Sequence, residues 1–156
     1  MPYVVLVDLE RKGGSGRAAG YSCVPELLDD WALVRPFHAN FLFRVAVRAV
    51  ESWLMADRQR FAEFLGVPLN RVPPDPDTCN DPKGVVVTLA RRSRRKAIQD
   101  AIVPKPGASA RVGTYYTAEM SRYVEQCWRV DKACLVSPSL RRTVARLRAF
   151  SSNRST

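Results

Sequence analysis

Tyr3-Val4-Val5-Leu6-Val7 is a run of β-branched and apolar residues of the kind that makes a buried strand, and it ends directly on Asp8-Leu9-Glu10. Two carboxylates therefore leave one strand end. Buried charge is costly unless it meets water, a cation or a hydrogen-bond donor, and ligands of open α/β sheets bind at the carboxyl ends of the strands. Asp8 and Glu10 are thus either ligands for a magnesium-type ion or the opening of a solvated turn ahead of Arg11-Lys12-Gly13-Gly14.

The segment that follows, 11–20, is basic and glycine-rich but lacks the Gly-Lys-Ser/Thr ending of a phosphate-binding loop. From Cys23 to Trp31 the spacing of Val24, Leu27, Leu28 and Trp31 predicts a helix that returns across a sheet. Phe41 to Val47 alternates as a second strand, with Phe41, Phe43, Val45 and Val47 on one side. A strand, a crossover helix and a strand make a parallel unit. The next stretch, Val50 to Asp57, has an apolar helical face of Val50, Trp53 and Leu54, which marks Trp53 as a core anchor. Glu51 lies off that stripe. With parallel strands it falls near the edge that carries Asp8 and Glu10, either as a third acid of the same site or as a complement to the positive N-terminus of its own helix. Asp57 is expected to cap a helix over Arg58 to Leu65, with Phe61, Phe64 and Leu65 inward.

Pro68, Pro73, Pro74 and Pro76 mark a rigid loop, and Asp81-Pro82 predicts a helix start, because the carboxylate can accept from free amides while proline suits the first turn. That helix buries Val85, Val86, Leu89 and Ala90, then gives way to Arg91-Arg92-Ser93-Arg94-Arg95-Lys96. Such a run is either a solvated face or a polyanion site, since like charges repel and a bound polyanion offsets that cost. Residues 103–114 form a loop carrying Lys105 and Arg111, and Tyr115 to Trp128 reads as a helix. Ser137-Pro138-Ser139-Leu140 opens the last helix, with Leu140, Val144 and Leu147 inward and Arg141, Arg142, Arg146 and Arg148 on other faces. The expectation is one domain over 1–150 and a frayed tail over 151–156.

The 156 residues carry 25 Lys and Arg against 15 Asp and Glu, a formal charge of +10 that attracts polyanions. Nucleic acid is the expected partner class. No apolar run is long enough to span a bilayer, and Met1-Pro2-Tyr3 does not open a signal peptide, so no membrane partner and a cytoplasmic location are expected. Cys23, Cys79, Cys127 and Cys134 lack metal-ligand spacing and are expected as free buried thiols. The single histidine, His38, leaves little room for histidine-based nucleophilic catalysis, so any chemistry rests on carboxylates and a metal.

Residues 2–10, 43–57, 81–83, 89–95 and 137–142, in this order, resemble the bacterial domain-of-unknown-function family 4276, most specifically around Glu51-Ser52-Trp53-Leu54 with Ala56-Asp57. The resemblance implies a Toprim-like α/β fold, with a small parallel sheet, flanking helices and a mostly helical C-terminal half. Sites of that kind pair an Asp-x-Asp with an upstream glutamate to hold magnesium for phosphodiester chemistry. Asp8 and Glu10 match the pair, with Glu10 longer by one methylene. The segment that would supply the upstream glutamate is not matched, so the N-terminal part of the family pattern is expected to be missing here, with Glu51 as the substitute. The resulting expectation is a nucleic-acid-binding protein with an incomplete phosphodiesterase or nuclease site. Asp8, Glu10 and Glu51 are its catalytic and metal residues, for Mg²⁺ or Mn²⁺. Arg91, Arg92, Arg94, Arg95, Lys96, Arg141, Arg142 and Arg146 are its nucleic-acid contacts. The alternative is a non-catalytic module of a defence or mobile-element system that docks nucleic acid or a partner protein from the same operon.

Overall fold

The computed structural model describes residues 3–9 and 20–152. Glu10, the remainder of the glycine-rich segment and 153–156 lie outside the described residues, so the expectations placed on them have no structural counterpart below. Two strands, β1 (Tyr3–Asp8) and β2 (Phe41–Ala46), pair in parallel, with Leu6 opposite Arg44 and Asp8 opposite Ala46. The connection between them contains α1 (Val24–Asp30), as the apolar spacing predicts. Val5, Val7, Phe41, Phe43, Val45 and Val47 cover one face of the pair and pack with Leu27 and Leu28 of α1. Phe37 meets Phe41 edge-on at 5.5 Å between ring centroids and closes the end of this layer.

Directly paired residues point to the same side of a sheet, so the opposite face carries Val4, Leu6 and Asp8 beside Leu42, Arg44 and Ala46. Here Ala46 packs with Trp53 and Ala56 of α2 (Val50–Ala56), Ala133 of α7 (Val130–Val136) and Leu140 of α8 (Pro138–Ser152). Helix α8 lies against β2. Val4 and Leu6 on β1 are 54% and 44% exposed.

The larger core is helical. It is built by α2, α3 (Arg58–Leu65), α4 (Pro82–Arg91), α5 (Lys96–Ile102) and α6 (Tyr116–Gln126) around Met55, Phe61, Leu65, Val86, Ile102 and Tyr123. Mixed α/β architecture with a mostly helical C-terminal half is therefore observed. Short 3₁₀ turns at Leu69–Arg71 and Pro76–Thr78 carry the proline-rich connection. Among the described residues no helix is long and apolar enough to cross a membrane.

Several local expectations change in tertiary context. Helix α2 is buried on every side from Glu51 to Ala56, so Glu51 lies in the interior and not on an open face. Asp57 stands at the N-cap of α3 without a cap hydrogen bond, because its carboxylate accepts from the backbone N, Nε and Nη2 of Arg129. The helix expected over Tyr115 to Trp128 stops at Gln126, and Trp128 turns its indole Nε1 onto the Trp53 carbonyl. Helix α8 runs through Ser152, and Leu147 on it is 37% exposed, so only Leu140 of its expected inward set is fully buried. The four cysteines are free; Cys23 is exposed and the other three are partly buried.

Candidate nucleic-acid interface

The carboxyl end of β1 meets the start of α2. Asp8 Oδ1 accepts from the Val50 amide at 2.9 Å, which satisfies one of the free donors at that helix end. The next residue, Glu51, is only 7% exposed. Its Oε1 accepts from the Tyr116 hydroxyl at 2.9 Å and lies 3.7 Å from Lys83 Nζ. Lys83 is brought there by the Asp81-Pro82 helix start. As the sequence predicts, Asp81 Oδ1 accepts from the Gly84 amide at 3.0 Å, and a Cβ on Gly84 would lie 2.3 Å from Asp81 Oδ2, so the cap requires glycine. Asp81 Oδ2 also pairs with Arg111 Nη2 at 2.8 Å. Burial, then the charge and hydrogen bond of Glu51, then Asp81 and Asp8 all push the Tyr116 phenol far above its usual range. Tyr116 therefore stays a neutral donor, and Asp8, Glu51 and Asp81 share one field around it.

Asp8 and Glu51 are thus brought to one end of the sheet, and Glu10 lies outside the described residues. Among the described residues no three His, Cys, Asp or Glu side chains converge to hold a metal ion. Magnesium requires near-octahedral oxygen ligation. Here one oxygen of Asp8 is taken by an amide, one oxygen of Glu51 is taken by a phenol, and the Lys83 ammonium supplies the compensating positive charge. These contacts compete with such an ion for Asp8 and Glu51, and the expected set also includes Glu10, which lies outside the described residues. Tyr116 and Lys83, which sequence reading missed, sit 65 and 32 positions from Glu51, and no local pattern couples them to it.

The basic residues divide between two regions. Arg91 ends α4, and Ser93 is buried, with its hydroxyl on the Leu65 carbonyl, so the charge run is folded around the C-terminal end of α3. The Arg94 amide donates to the Gly66 carbonyl, Arg95 Nη1 donates to the Phe64 carbonyl at 3.1 Å, and Lys96 pairs with Asp100 at 2.8 Å. Arg91, Arg92 and Arg94 are exposed. On α8, Arg141, Arg142 and Arg146 are exposed too, and Arg142 and Arg146 lie one turn apart on either side of Thr143. Thr143 Oγ1 accepts from Arg44 Nε of β2 at 3.3 Å. Burial, then Arg142, Arg146 and Arg35 in that order, lower the Arg44 pKa from its ordinary value. Arg44 and Arg35 were not expected at this site; Arg44 reads as one alternating position of a strand, and its neighbours come from elements far along the chain.

Compared with known proteins, the chain matches no family model, no curated protein and no solved structure.

Proposed function

We propose that this protein is a nucleic-acid-binding module that grips the phosphodiester backbone through arginines, with no dependence on base sequence. The observation that carries this reading is the placement of charge. Arg91, Arg92, Arg94, Arg141, Arg142 and Arg146 are all exposed on a chain of net charge +10, while the buried acids already have internal partners, Glu51 in Lys83 and Tyr116, and Asp57 in Arg129. The cationic surplus is therefore available to an external polyanion. The parallel strand pair, the crossover helix and the mostly helical C-terminal half support a Toprim-like fold as part of the same proposal. Asp8 and Glu51 act in this reading as the acids that fix the start of α2.

The test is the salt dependence of binding to duplex DNA of several unrelated sequences. Each neutralised phosphate contributes roughly 0.9 to the slope of log K against log salt, so a contact set of about four gives a slope near −3.6. The expected result is that slope with the same affinity for every sequence. A slope near zero, or binding confined to one sequence, contradicts the proposal.

A further inference from the structure

Like charges gathered together are unfavourable unless something negative sits between them, and the seam between β2 and α8 brings Arg142 and Arg146 into the field of Arg44. Arg44 rises from the sheet face that α8 covers, and its Nε is tied to Thr143 Oγ1. Arg142 and Arg146 are neighbours of that threonine on α8, one turn apart, and the charges of both act on Arg44. Arg35, whose guanidinium lies 5.8 Å from the Phe37 ring centroid, adds a fourth positive charge to the field at Arg44. Asp77 feels the charge of Arg142, and its two carboxylate oxygens accept from the Ser137 hydroxyl. Asp131 of α7 pairs with Arg148, two residues beyond Arg146.

Guanidinium groups match phosphate oxygens with planar, paired donors, and a partly buried arginine presents them at lower entropic cost than an exposed one. We propose that Arg44, Arg142 and Arg146 form a phosphate pocket that seats one phosphate of a nucleic-acid backbone, and that this pocket, not the 91–96 run, fixes where the strand lies. The identity of the ligand rests on the function proposed above; the pocket itself does not. The run differs in kind, because Arg95 and Lys96 are committed to the Phe64 carbonyl and Asp100. Its remaining arginines are solvated and act at longer range.

The experiment measures binding of a single-stranded oligothymidylate, and thermal protection by inorganic pyrophosphate, in wild type, Arg44→Met, the double variant Arg142→Gln with Arg146→Gln, and the double variant Arg91→Gln with Arg92→Gln. Because Arg44 is charged among like charges, Arg44→Met is expected to fold with an unchanged or raised Tm. It should lose about tenfold in oligonucleotide affinity, the scale of one lost charge-assisted contact. The Arg142 and Arg146 variant should lose at least as much, and the Arg91 and Arg92 variant less than about threefold. Pyrophosphate should raise the Tm of wild type and not that of Arg44→Met. If wild type binds the oligonucleotide and both pocket variants bind it equally well, the pocket is wrong and the function stands. Should wild type ignore both the oligonucleotide and the duplexes used above while pyrophosphate protection still depends on Arg44, the pocket stands and the function falls. No response to pyrophosphate, the oligonucleotide or the duplexes overturns both.

Discussion

Replacing Trp53 with alanine is expected to destabilise the fold by about 3–5 kcal/mol, the range for deleting a large buried aromatic side chain. Trp53 is 5% exposed and lies where Ala46 of β2, Ala133 of α7 and Leu140 of α8 converge, so its removal opens a cavity that joins the sheet layer to the helical core. The loss extends beyond apolar contact. Its indole Nε1 donates to Ser139 Oγ at 2.7 Å, and Ser139 in turn lies 3.3 Å from Ser137 Oγ, so alanine would leave a buried hydroxyl cluster short of one donor. For a chain of this size the Tm should fall by roughly 6–20 °C. Thermal unfolding followed by circular dichroism checks this, and a Tm within a degree of wild type would show that the indole is not the anchor of the two layers.

The second large effect concerns Asp57. Its carboxylate is 3% exposed and accepts from Arg129 at the backbone N (3.1 Å), Nε (2.9 Å) and Nη2 (2.7 Å), which ties the junction of α2 and α3 to the start of α7. Burial pushes this carboxyl up, but the hydrogen bonds and charge of Arg129, with a smaller contribution from the Arg60 amide of α3, outweigh it, and the net pKa lies below the ordinary value. A lowered folded-state pKa contributes stability that is present above the unfolded value of about 3.9 and is lost as pH falls through the folded value. Asp57→Asn should therefore unfold on the order of 5 °C below wild type at neutral pH, by the scale of charged hydrogen bonds. As pH drops below about 3.9 the difference should shrink, because the unfolded chain takes up a proton there first and the folded carboxyl follows only at lower pH. A gap that is constant from neutral to acid pH would mean that Asp57 contributes shape and not charge.

The parts of the fold that were legible in the sequence are those set by neighbours in the chain. The β-branched run at Tyr3–Asp8, the alternation at Phe41–Ala46 and the helical spacing between them give the parallel pair, and Asp81-Pro82 gives its cap directly. Ser137 likewise caps the last helix, accepting from the Leu140 amide at 3.3 Å. Local propensity yielded where a distant partner offered more. Asp57 has the residue type and position of an N-cap, yet an arginine 72 positions away supplies charged donors that the α3 amides cannot match. Glu51 reads as an outward position on a short helix, but a helix of seven residues packed against β2, α3, α4 and α7 has no outward face. The candidate site shows the same division. The run at 91–96 is conspicuous as composition, while Arg44 is a single charge in a strand. Its significance comes from where α8 lands on β2, and nothing within a few residues of Arg44 encodes that.

The most direct test of the binding surface is amide chemical-shift mapping of the isotope-labelled protein during titration with the single-stranded oligothymidylate. The expected result is a contiguous set of shifts over β2 around Arg44 and along α8 from Arg141 to Arg146, with weaker changes near Arg91 and Arg92. Shifts confined to the 91–96 corner, with β2 and α8 unmoved, would contradict it.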